Sequence, residues 1–496
     1  MAYQRYDSAQ QKNDYAIDTA SLSRLYFQPS DYLWIEQQKL TRSANDALEF
    51  IAGSVNHGLN PNDYHQDLLT QLKPALDESN SHLFDLVLSD GLMKLIRDIA
   101  TGRLDPTIVD PEWTIPRTSF DAVEFLQTAL SDDQLKARLN SLTPESDDYR
   151  HLKAAIKRYQ TYIARGGWPN IPVTPMLKPG ASHKNIPVIR ERLTFEGYST
   201  TVEATLLRDI YDDNLVRAVK KFQRHHGIIV DGIIGPVTLQ AMNVTAAARL
   251  KQINIALERL RWLPDDLGRR YILVNLANFR LTAIENDKVK LNMRVIIGKT
   301  KRPTPSFSSK ITDIVQNPRW YVPNKLARHD LLPKQQNNPN YFSRANIRVF
   351  GTVDGKRTEL DPHSIDWRSV SEQYFPYSLV QDPGEKNALG DLKFIMPNPW
   401  KIYLHDTPSK SLFNQNARNF SSGCIRVEDP YALANFSLDG TKTLVPLVES
   451  SDTGYRTTLE QPLSVYLIYA TVWYDGKEII FSPDNYQRDQ LMAKYL

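Results

Sequence analysis

Residues 405 to 427, HDTPSKSLFNQNARNFSSGCIRV, contain one histidine and the only cysteine of the chain. A cysteine becomes a useful nucleophile when a neighbouring positive charge, an imidazole or backbone N–H groups stabilise its thiolate. Gly423 allows the backbone to approach a ligand closely, and the N–H groups around Cys424 are candidates for an oxyanion hole. A lone cysteine is also often a small buried hydrophobic residue. The residues around it must therefore decide between a nucleophile and an inert thiol.

Two residues of this stretch have the chemistry to support a reactive thiol. His405 ends the strand-like segment WKIYLH and is the candidate general base. Its second ring nitrogen needs an acceptor, such as the backbone carbonyl of Asp406. Arg426 adds a fixed positive charge two residues after Cys424, and it either orients a substrate carboxylate or forms a structural salt bridge.

Four more residues are candidates for binding a substrate. Tyr403 lies two residues before His405, so on a strand both side chains face the same side; it either hydrogen-bonds substrate or packs. Trp320, in NPRWYVP, either forms a wall of the substrate pocket or belongs to a β core. We expect Ser421 and Ser422 to line the turn before the cysteine through hydrogen bonds.

Length and composition predict a globular protein of several domains. The chain has 496 residues, and about 150 residues per domain suggests about three domains. Its 60 basic and 57 acidic residues give a net charge of +3, which does not indicate nucleic acid as a partner. One cysteine excludes an internal disulfide and a cysteine-rich zinc site. The polar start MAYQRYDSAQQKND lacks the apolar region of a signal peptide, which indicates a cytosolic protein or a chain without its export segment.

Hydrophobic periodicity predicts a multidomain α + β protein. Apolar residues recur at helical spacing through residues 15–165, and the Pro/Gly-rich joint GGWPNIPVTPMLKPGASHKN then ends the pattern. After residue 268, β-branched and aromatic runs separated by turn residues indicate strands. The predicted parts are a helical scaffold at 1–180, a small three-helix module at 181–245, a linking helix at 246–267, and a mostly β domain at 268–496 with an insertion at 324–390. The insertion is too long for a plain loop, so we expect a capping subdomain over the site, although a decorative surface insertion is the alternative.

Two resemblances follow from particular motifs. The run AVKKFQRHHGIIVDGIIGPVTLQAMN, residues 218–243, resembles the type 1 peptidoglycan-binding domain. The segments RVIIGKTKRPTPSF, NALGDLKFIMPN, YLHDTP and SSGCIRVEDP together resemble the YkuD-type L,D-transpeptidase family, in the large Gram-negative arrangement with scaffold and binding domains. Many relatives have histidine immediately before the Gly-Cys pair, where this chain has Ser422. The resemblance implies that His405 is the catalytic base.

The resemblance implies a mechanism that needs neither metal nor nucleotide cofactor. The Cys424 thiolate would attack the third residue of a tetrapeptide donor stem in peptidoglycan, and a diaminopimelate amine of a second stem would resolve the thioester into a 3→3 cross-link. Carbapenems are implied inhibitors, and cell-wall synthesis proteins are implied partners. The substrate implies a periplasmic chain, anchored to the inner membrane by an N-terminal segment not present in this sequence.

Two other functions remain open from the residues alone. The first is an L,D-carboxypeptidase or another cysteine hydrolase of stem peptides, because fold and motif do not separate hydrolysis from transfer. The second is a wall-binding scaffold without catalysis, in which Cys424 is an inert thiol.

Overall fold

The computed structural model describes residues 17–26, 32–77, 79–200, 208–445 and 454–496, which fall into two compact units. The first unit comprises Met1–Pro111, Pro116–Asp266 and Ala470–Leu496, and the second comprises Glu112–Ile115 and Leu267–Tyr469. The sequence-based division extended the β domain to residue 496. In the structure the chain after Tyr469 belongs to the first unit, because Val472 and Phe481 bury their side chains in a helical core.

The first unit is helical over most of its length. Its α-helices up to the joint are Thr19–Leu25, Arg42–Ala52, Gln66–Leu72, Ser81–Thr101, Ala122–Ser131, Leu135–Ser141 and Asp147–Ala164. Side chains of Thr41, Asp121 and Ser146 accept backbone N–H groups at helix starts, which satisfies donors that lack a partner inside the helix. The helix Ser81–Thr101 is buried along most of its length and forms the centre of this core.

The small module is a three-helix domain, as the sequence predicted. Its helices are Ile186–Phe195, Asp213–His225 and Pro236–Met242, and Leu215, Val219 and Phe222 point from the second helix into its core. Pro236 occupies the first turn of the third helix, where its missing N–H costs nothing. The next helix, Ala246–Arg261, packs against Asp147–Ala164 in a shared core that also takes in the last β-hairpin. That hairpin consists of strands Val472–Tyr474 and Ile479–Phe481, and the short helix Arg488–Met492 follows it.

The second unit is built on a nine-stranded sheet. In chain order its strands are β1 (Arg270–Asn275), β2 (Arg280–Glu285), β3 (Lys288–Gly298), β4 (Phe307–Gln316), β5 (Leu392–Ile395), β6 (Leu404–His405), β7 (Asn419–Ser421), β8 (Ile425–Val427) and β9 (Tyr455–Ile468). The strand order is β7-β3-β8-β6-β5-β4-β9-β1-β2, and β2 also pairs with β3. That pairing closes eight strands into a ring, with β7 as a branch on β3. The helix Pro430–Ser437 follows β8.

The predicted insertion is a folded subdomain. It has a four-stranded sheet in the order Trp320–Tyr321, Ser378–Gln381, Ile347–Val353 and Lys356–Leu360, and the helical segments Asn324–Leu326, Ala327–Leu331, Leu332–Asn337 and Tyr341–Arg344. Buried Phe342, Trp367 and Leu379 belong to its own hydrophobic cluster. The runs that looked polar therefore supply enough apolar side chains for a separate core.

No helix among the described residues is both long enough and apolar enough to cross a membrane.

Candidate active site

Strand register brings five polar side chains to one face of the sheet. His405 on β6 is paired with Lys393 on β5 and with Arg426 on β8, so these three side chains form a row. Tyr403 and Cys424 each lie two residues earlier along their chains, so strand alternation returns them to the same face. Edge-to-face contact of the Tyr403 and His405 rings, 5.7 Å between centroids, agrees with this placement.

The opposite face of the same strands is apolar. Phe394, Leu404 and Ile425 are fully buried there. Because successive residues alternate, burial of these three side chains forces their neighbours to the reactive face. A shift of one residue in the register would bury the polar row and expose the core.

A tight turn presents Cys424. Gly423 has φ = 122°, a conformation that residues with a Cβ rarely adopt. The Ser421 hydroxyl donates to the carbonyl oxygen of Cys424 at 2.6 Å and accepts the N–H of Gly423 at 3.1 Å. The Thr304 hydroxyl donates to the Gly423 carbonyl at 2.8 Å. Ser421 and Thr304 are both buried, so the turn is braced from two sides.

One backbone donor at the cysteine is available to a substrate. The N–H of Gly423 is bound by Ser421, and the N–H of Ile425 donates to the Tyr403 carbonyl at 3.1 Å. No hydrogen bond from the N–H of Cys424 to another described residue is found. This N–H is therefore the candidate for an oxyanion hole, where the sequence had suggested only the general region.

His405 is held as a neutral imidazole. Its Nδ1 lies 2.5 Å from the carbonyl oxygen of Asp406, and a carbonyl oxygen only accepts, so Nδ1 carries the proton and Nε2 of the neutral ring holds a lone pair. Burial, with the charge of Arg426 as the second cause, lowers the pKa of His405 to about 3. No hydrogen bond joins His405 to Cys424 in the described part of the chain.

The surroundings of the Cys424 thiol act in opposite directions on its pKa. Cys424 is half-buried, and burial raises the pKa of its thiol. Hydrogen bonding from Tyr403 and the charges of Lys393 and Arg426 act to lower that pKa. Burial also raises the pKa of Tyr403, so its hydroxyl remains a hydrogen-bond donor. Burial is the larger effect, so the pKa of the thiol is raised overall, and the contacts with Tyr403, Lys393 and Arg426 reduce the free-energy cost of forming the thiolate.

Two cations at this site have no acidic partner. Neither Lys393 nor Arg426 forms an ion pair with any described residue, and Nε of Arg426 is buried without a hydrogen-bond partner. Nζ of Lys393 lies 4.0 Å from the centroid of the Tyr403 ring. Burial lowers the pKa of both cations. Arg426 is half-buried and forms no ion pair with a described residue, which does not support the salt-bridge alternative and favours a role in binding an anion.

The carboxylate of Asp406 stabilises the local structure and does not face the imidazole of His405. It accepts the N–H of Asp391 at 2.9 Å and pairs with Lys410. Gly390 makes this approach possible, since a Cβ there would lie 2.3 Å from the carboxylate oxygen. Asp406 hydrogen-bonds His405 through its backbone carbonyl, the acceptor that the sequence analysis suggested, and not through its carboxylate.

Ser422 and Trp320 connect the site to the inserted subdomain. Arg302 donates to the Ser422 hydroxyl at 3.1 Å and forms a two-point ion pair with Asp330 of the insertion at 2.6 and 3.0 Å. Trp320 packs on the core of the insertion, and its indole faces the Tyr403 hydroxyl.

The sequence analysis did not find three residues that contribute to the site, namely Lys393, Thr304 and Arg302. Alternation in DLKFIMPN indicates that Lys393 faces away from the buried Leu392 and Phe394, but only its pairing with His405 shows that it lies on the face of the candidate site.

The described residues contain no group of three or more histidine, cysteine, aspartate or glutamate side chains arranged to hold a metal ion.

Comparison with known proteins assigns three parts of the chain to protein families. Residues 20–156 match the scaffold domain, residues 182–242 match the "Putative peptidoglycan binding domain", and residues 269–445 match the L,D-transpeptidase catalytic domain of the YkuD type. The last match contains every candidate site residue.

Relatives agree with this assignment over part of their length. A "Putative L,D-transpeptidase" of Haemophilus influenzae is 38% identical over 236 residues, which cover 47% of this chain and 47% of that protein. The chain therefore spans about half the length of this relative. The N-acetylmuramoyl-L-alanine amidase CwlL of Bacillus licheniformis is 36% identical over 76 residues, which cover 15% of this chain and 21% of the amidase.

Among solved structures, the L,D-transpeptidase of Stackebrandtia nassauensis is 13% identical and aligns over 60% of this chain and 97% of its own, with a TM-score of 0.25. A similarity this low adds nothing to the assignment.

The fold and the site define a protein with a cysteine-containing β domain joined to helical domains. More narrowly, this chain has a YkuD-type L,D-transpeptidase catalytic domain together with a peptidoglycan-binding domain and a scaffold domain. The family resemblance drawn from the sequence motifs is confirmed.

Proposed function

We propose that this chain is a peptidoglycan L,D-transpeptidase that forms 3→3 cross-links through a thioester on Cys424. The observation that carries the proposal is the common face of Cys424 and His405, with Nδ1 of His405 bound to the Asp406 carbonyl. This arrangement leaves Nε2 of His405 as a neutral base on the same face as the thiol.

In the first half-reaction the thiol of Cys424 is acylated by the donor stem. Nε2 of His405 takes the proton of Cys424, and Sγ attacks the carbonyl carbon of the third stem residue, a meso-diaminopimelate at its L-centre. The N–H of Cys424 stabilises the developing oxyanion. The C–N bond to the terminal D-alanine breaks, and the proton held on His405 passes to the leaving amine. Free D-alanine departs and a thioester remains on Cys424.

In the second half-reaction an acceptor amine resolves the thioester. The side-chain amine of a diaminopimelate on a second stem loses a proton to His405 and attacks the thioester carbonyl. The C–S bond breaks, an amide forms between the two third residues, and the proton returns to Sγ. Attack by water would instead release a tripeptide.

The two unpaired cations fit this substrate. The donor stem has carboxylates at the diaminopimelate D-centre and at the terminal D-alanine. Arg426 offers a guanidinium that can bind a carboxylate at two points. Lys393 is placed to stabilise the thiolate beside Tyr403. Tyr403 and Trp320, which connects to the insertion, would form one wall of the donor pocket.

The same chemistry predicts that β-lactams of the carbapenem class inhibit this protein. The carbonyl of a carbapenem is a strained amide, so the Cys424 thiolate would open its ring and keep the acyl group as a thioester. The acylated residue should be Cys424, and an adduct on a Cys424→Ala variant would contradict this.

Peptidoglycan as substrate places the chain outside the cytoplasmic membrane. We propose a periplasmic location with an N-terminal inner-membrane anchor, and cell-wall synthesis proteins as partners that supply nascent strands.

The experiment that tests the function uses purified disaccharide-tetrapeptide, the chain and a Cys424→Ala control, read by mass spectrometry. The expected product is a dimer whose mass equals that of two disaccharide-tetrapeptides minus the one molecule of free alanine that is released. It should form only when Cys424 is present. Tripeptide monomer alone would mean an L,D-carboxypeptidase. No product, with folded protein and no acylation by imipenem, would contradict an enzyme and leave a wall-binding scaffold.

A further inference from the structure

The loop of residues 299–306, which connects β3 to β4, holds the turn that presents Cys424. Three donors of this loop reach the three residues that precede the cysteine. These contacts are the N–H of Lys299 to the carbonyl oxygen of Ser421 at 2.9 Å, the guanidinium of Arg302 to the hydroxyl of Ser422 at 3.1 Å, and the hydroxyl of Thr304 to the carbonyl oxygen of Gly423 at 2.8 Å. The position of the turn therefore depends on this loop.

The loop itself has little conformational freedom. Arg302 and Thr304 each precede a proline, and a following proline disfavours the helical region of the backbone. The loop also folds back closely on the end of β3, since a Cβ on Gly298 would lie 2.2 Å from the carbonyl oxygen of Arg302. Thr304 and Ser306 are buried. A side chain that projects from such a loop starts from a fixed point.

Arg302 connects this loop to the inserted subdomain. Its guanidinium donates to both carboxylate oxygens of Asp330, at 2.6 and 3.0 Å, and the nitrogen that makes the shorter bond also donates to Ser422. A two-point pair of a guanidinium with a carboxylate has a specific geometry as well as a favourable energy. The forked end of Arg302 is thus engaged by two residues of the chain, which suits a positioning role better than the binding of a substrate carboxylate.

Asp330 is held by the core of the insertion. It lies in the helical segment Ala327–Leu331, whose first and last residues are buried in the hydrophobic cluster of the insertion. The segment is a single π-helical turn, a conformation that is frequent at functional sites. The carboxylate of Asp330 is therefore attached to a folded body, and a displacement of that body would reach Ser422 through Arg302.

We infer that Arg302 is a positioning residue that couples the inserted subdomain, through Asp330 and Ser422, to the turn that places Cys424 for acylation. The inference rests on the proposed function, because it concerns the reaction of Cys424. Misplacement of a reacting group by about 1 Å costs about a hundredfold in rate, so a small shift of this turn is enough to slow the reaction.

The test measures acylation of the full chain by imipenem, read as the intact mass of the protein against time at several imipenem concentrations. Arg302→Met should lower the saturating rate by about tenfold or more, while the half-saturating concentration stays within about threefold of the parent. Arg302→Lys should remain slow, because an ammonium cannot make the two-point pair. Loss of folded protein would lower the final extent of acylation and leave the rate of the folded molecules unchanged.

A second ion pair of the same kind provides the matched control. Arg348 donates to both carboxylate oxygens of Glu359, and the two residues lie on paired strands within the sheet of the insertion. Arg348→Met therefore removes a guanidinium–carboxylate pair from the same subdomain, and its saturating rate should stay within about twofold of the parent. Equal saturating rates for Arg302→Met and Arg348→Met would overturn the inference.

A double-variant cycle tests the path through Ser422. Asp330→Asn and Ser422→Ala each remove one end of the link, and each should slow acylation by about threefold to tenfold. Because both act through Arg302, the double variant should be no slower than the slower single variant, and multiplied effects would overturn the inference. These two variants also provide an answer if Arg302→Met does not fold.

The same experiment separates the two levels of the argument. A parent chain that imipenem does not acylate would overturn the proposed function and this inference with it. A parent that is acylated at Cys424, with rates unaffected by the substitutions at Arg302, Asp330 and Ser422, would overturn the inference alone.

Discussion

Nδ1 of His405 lies 2.5 Å from the backbone carbonyl oxygen of Asp406, the residue that follows it. A carbonyl oxygen only accepts, so this contact favours the tautomer of the neutral imidazole that carries its proton on Nδ1. A side-chain carboxylate, by contrast, would add a negative charge and favour the imidazolium. The imidazole proposed as the base is therefore oriented without being made strongly basic.

His405→Gln should lower the rate of Cys424 acylation by imipenem by about a hundredfold or more, since a positioned general base contributes about 10² to 10⁴. The measurement is the intact mass of the protein against time. His363→Gln is the control, because His363 is exposed on the insertion. Equal rates for the two variants would remove His405 from the mechanism.

Asp406→Asn separates the backbone role of Asp406 from its side-chain role. The carbonyl that orients His405 is retained, so acylation should stay within about threefold of the parent. The ion pair with Lys410 is lost and the hydrogen bond from Asp391 is weakened, so the free energy of unfolding should fall by about 1 to 2 kcal/mol. Urea unfolding and acylation kinetics on one sample give both numbers. A large loss of acylation with unchanged stability would mean that the carboxylate itself takes part.

Lys393→Met should raise the pKa of the Cys424 thiol further, because a cation that favours the thiolate is removed. Since Cys424 is the only cysteine, ultraviolet absorbance of the thiolate against pH reports this group alone. Alkylation by iodoacetamide near neutral pH should slow by about threefold to tenfold. Lys310→Met, on exposed strand surface, should change neither. A thiol titration unaffected by Lys393→Met would contradict the electrostatic role of Lys393.

Gly423→Ala should abolish most acylation, because a Cβ is unfavourable at φ = 122° and the turn must move Cys424 to relieve it. Gly384 provides a matched control, with φ = 121° and no atom within 4 Å of an added Cβ. Both substitutions should cost about 1 to 2 kcal/mol of folding free energy. Only Gly423→Ala should lose acylation. Similar acylation by both variants would show that the turn conformation is not required.

The depressed pKa of His405 predicts a pH effect on stability. The folded protein keeps His405 neutral down to about pH 3, whereas an unfolded histidine protonates near its ordinary value of 6.5. Between these values the unfolded chain binds the extra proton, so stability due to His405 is full above pH 6.5 and falls as the pH is lowered. Parent and His405→Gln should therefore differ in the slope of unfolding free energy against pH from 6.5 to 4, with the steeper loss in the parent. Parallel curves would contradict the burial of a neutral imidazole.

The sequence by itself determined the local features of this protein. The alternation of WKIYLH, the spacing of His405 and Cys424, and the turn chemistry of SSGC led to the candidate site residues, and the surrounding motifs led to the domain that contains them. The helical periodicity of the N-terminal half and the motif of the small module led to the correct fold class. These signals work because strand alternation, helix faces and turn glycines depend on neighbours within a few residues.

Only the tertiary structure decided which distant residues share a site. Lys393, Thr304 and Arg302 come from parts of the chain far from Cys424, and their roles depend on strand register and on a folded insertion. The last hairpin looked like a continuation of the β domain, yet Phe481 packs in a helical core. Pairing between remote strands depends on which faces the whole fold buries, and this cannot be read from a short segment of sequence. The sequence thus predicted Cys424 as the candidate nucleophile, and the tertiary structure decided which distant residues lie beside it.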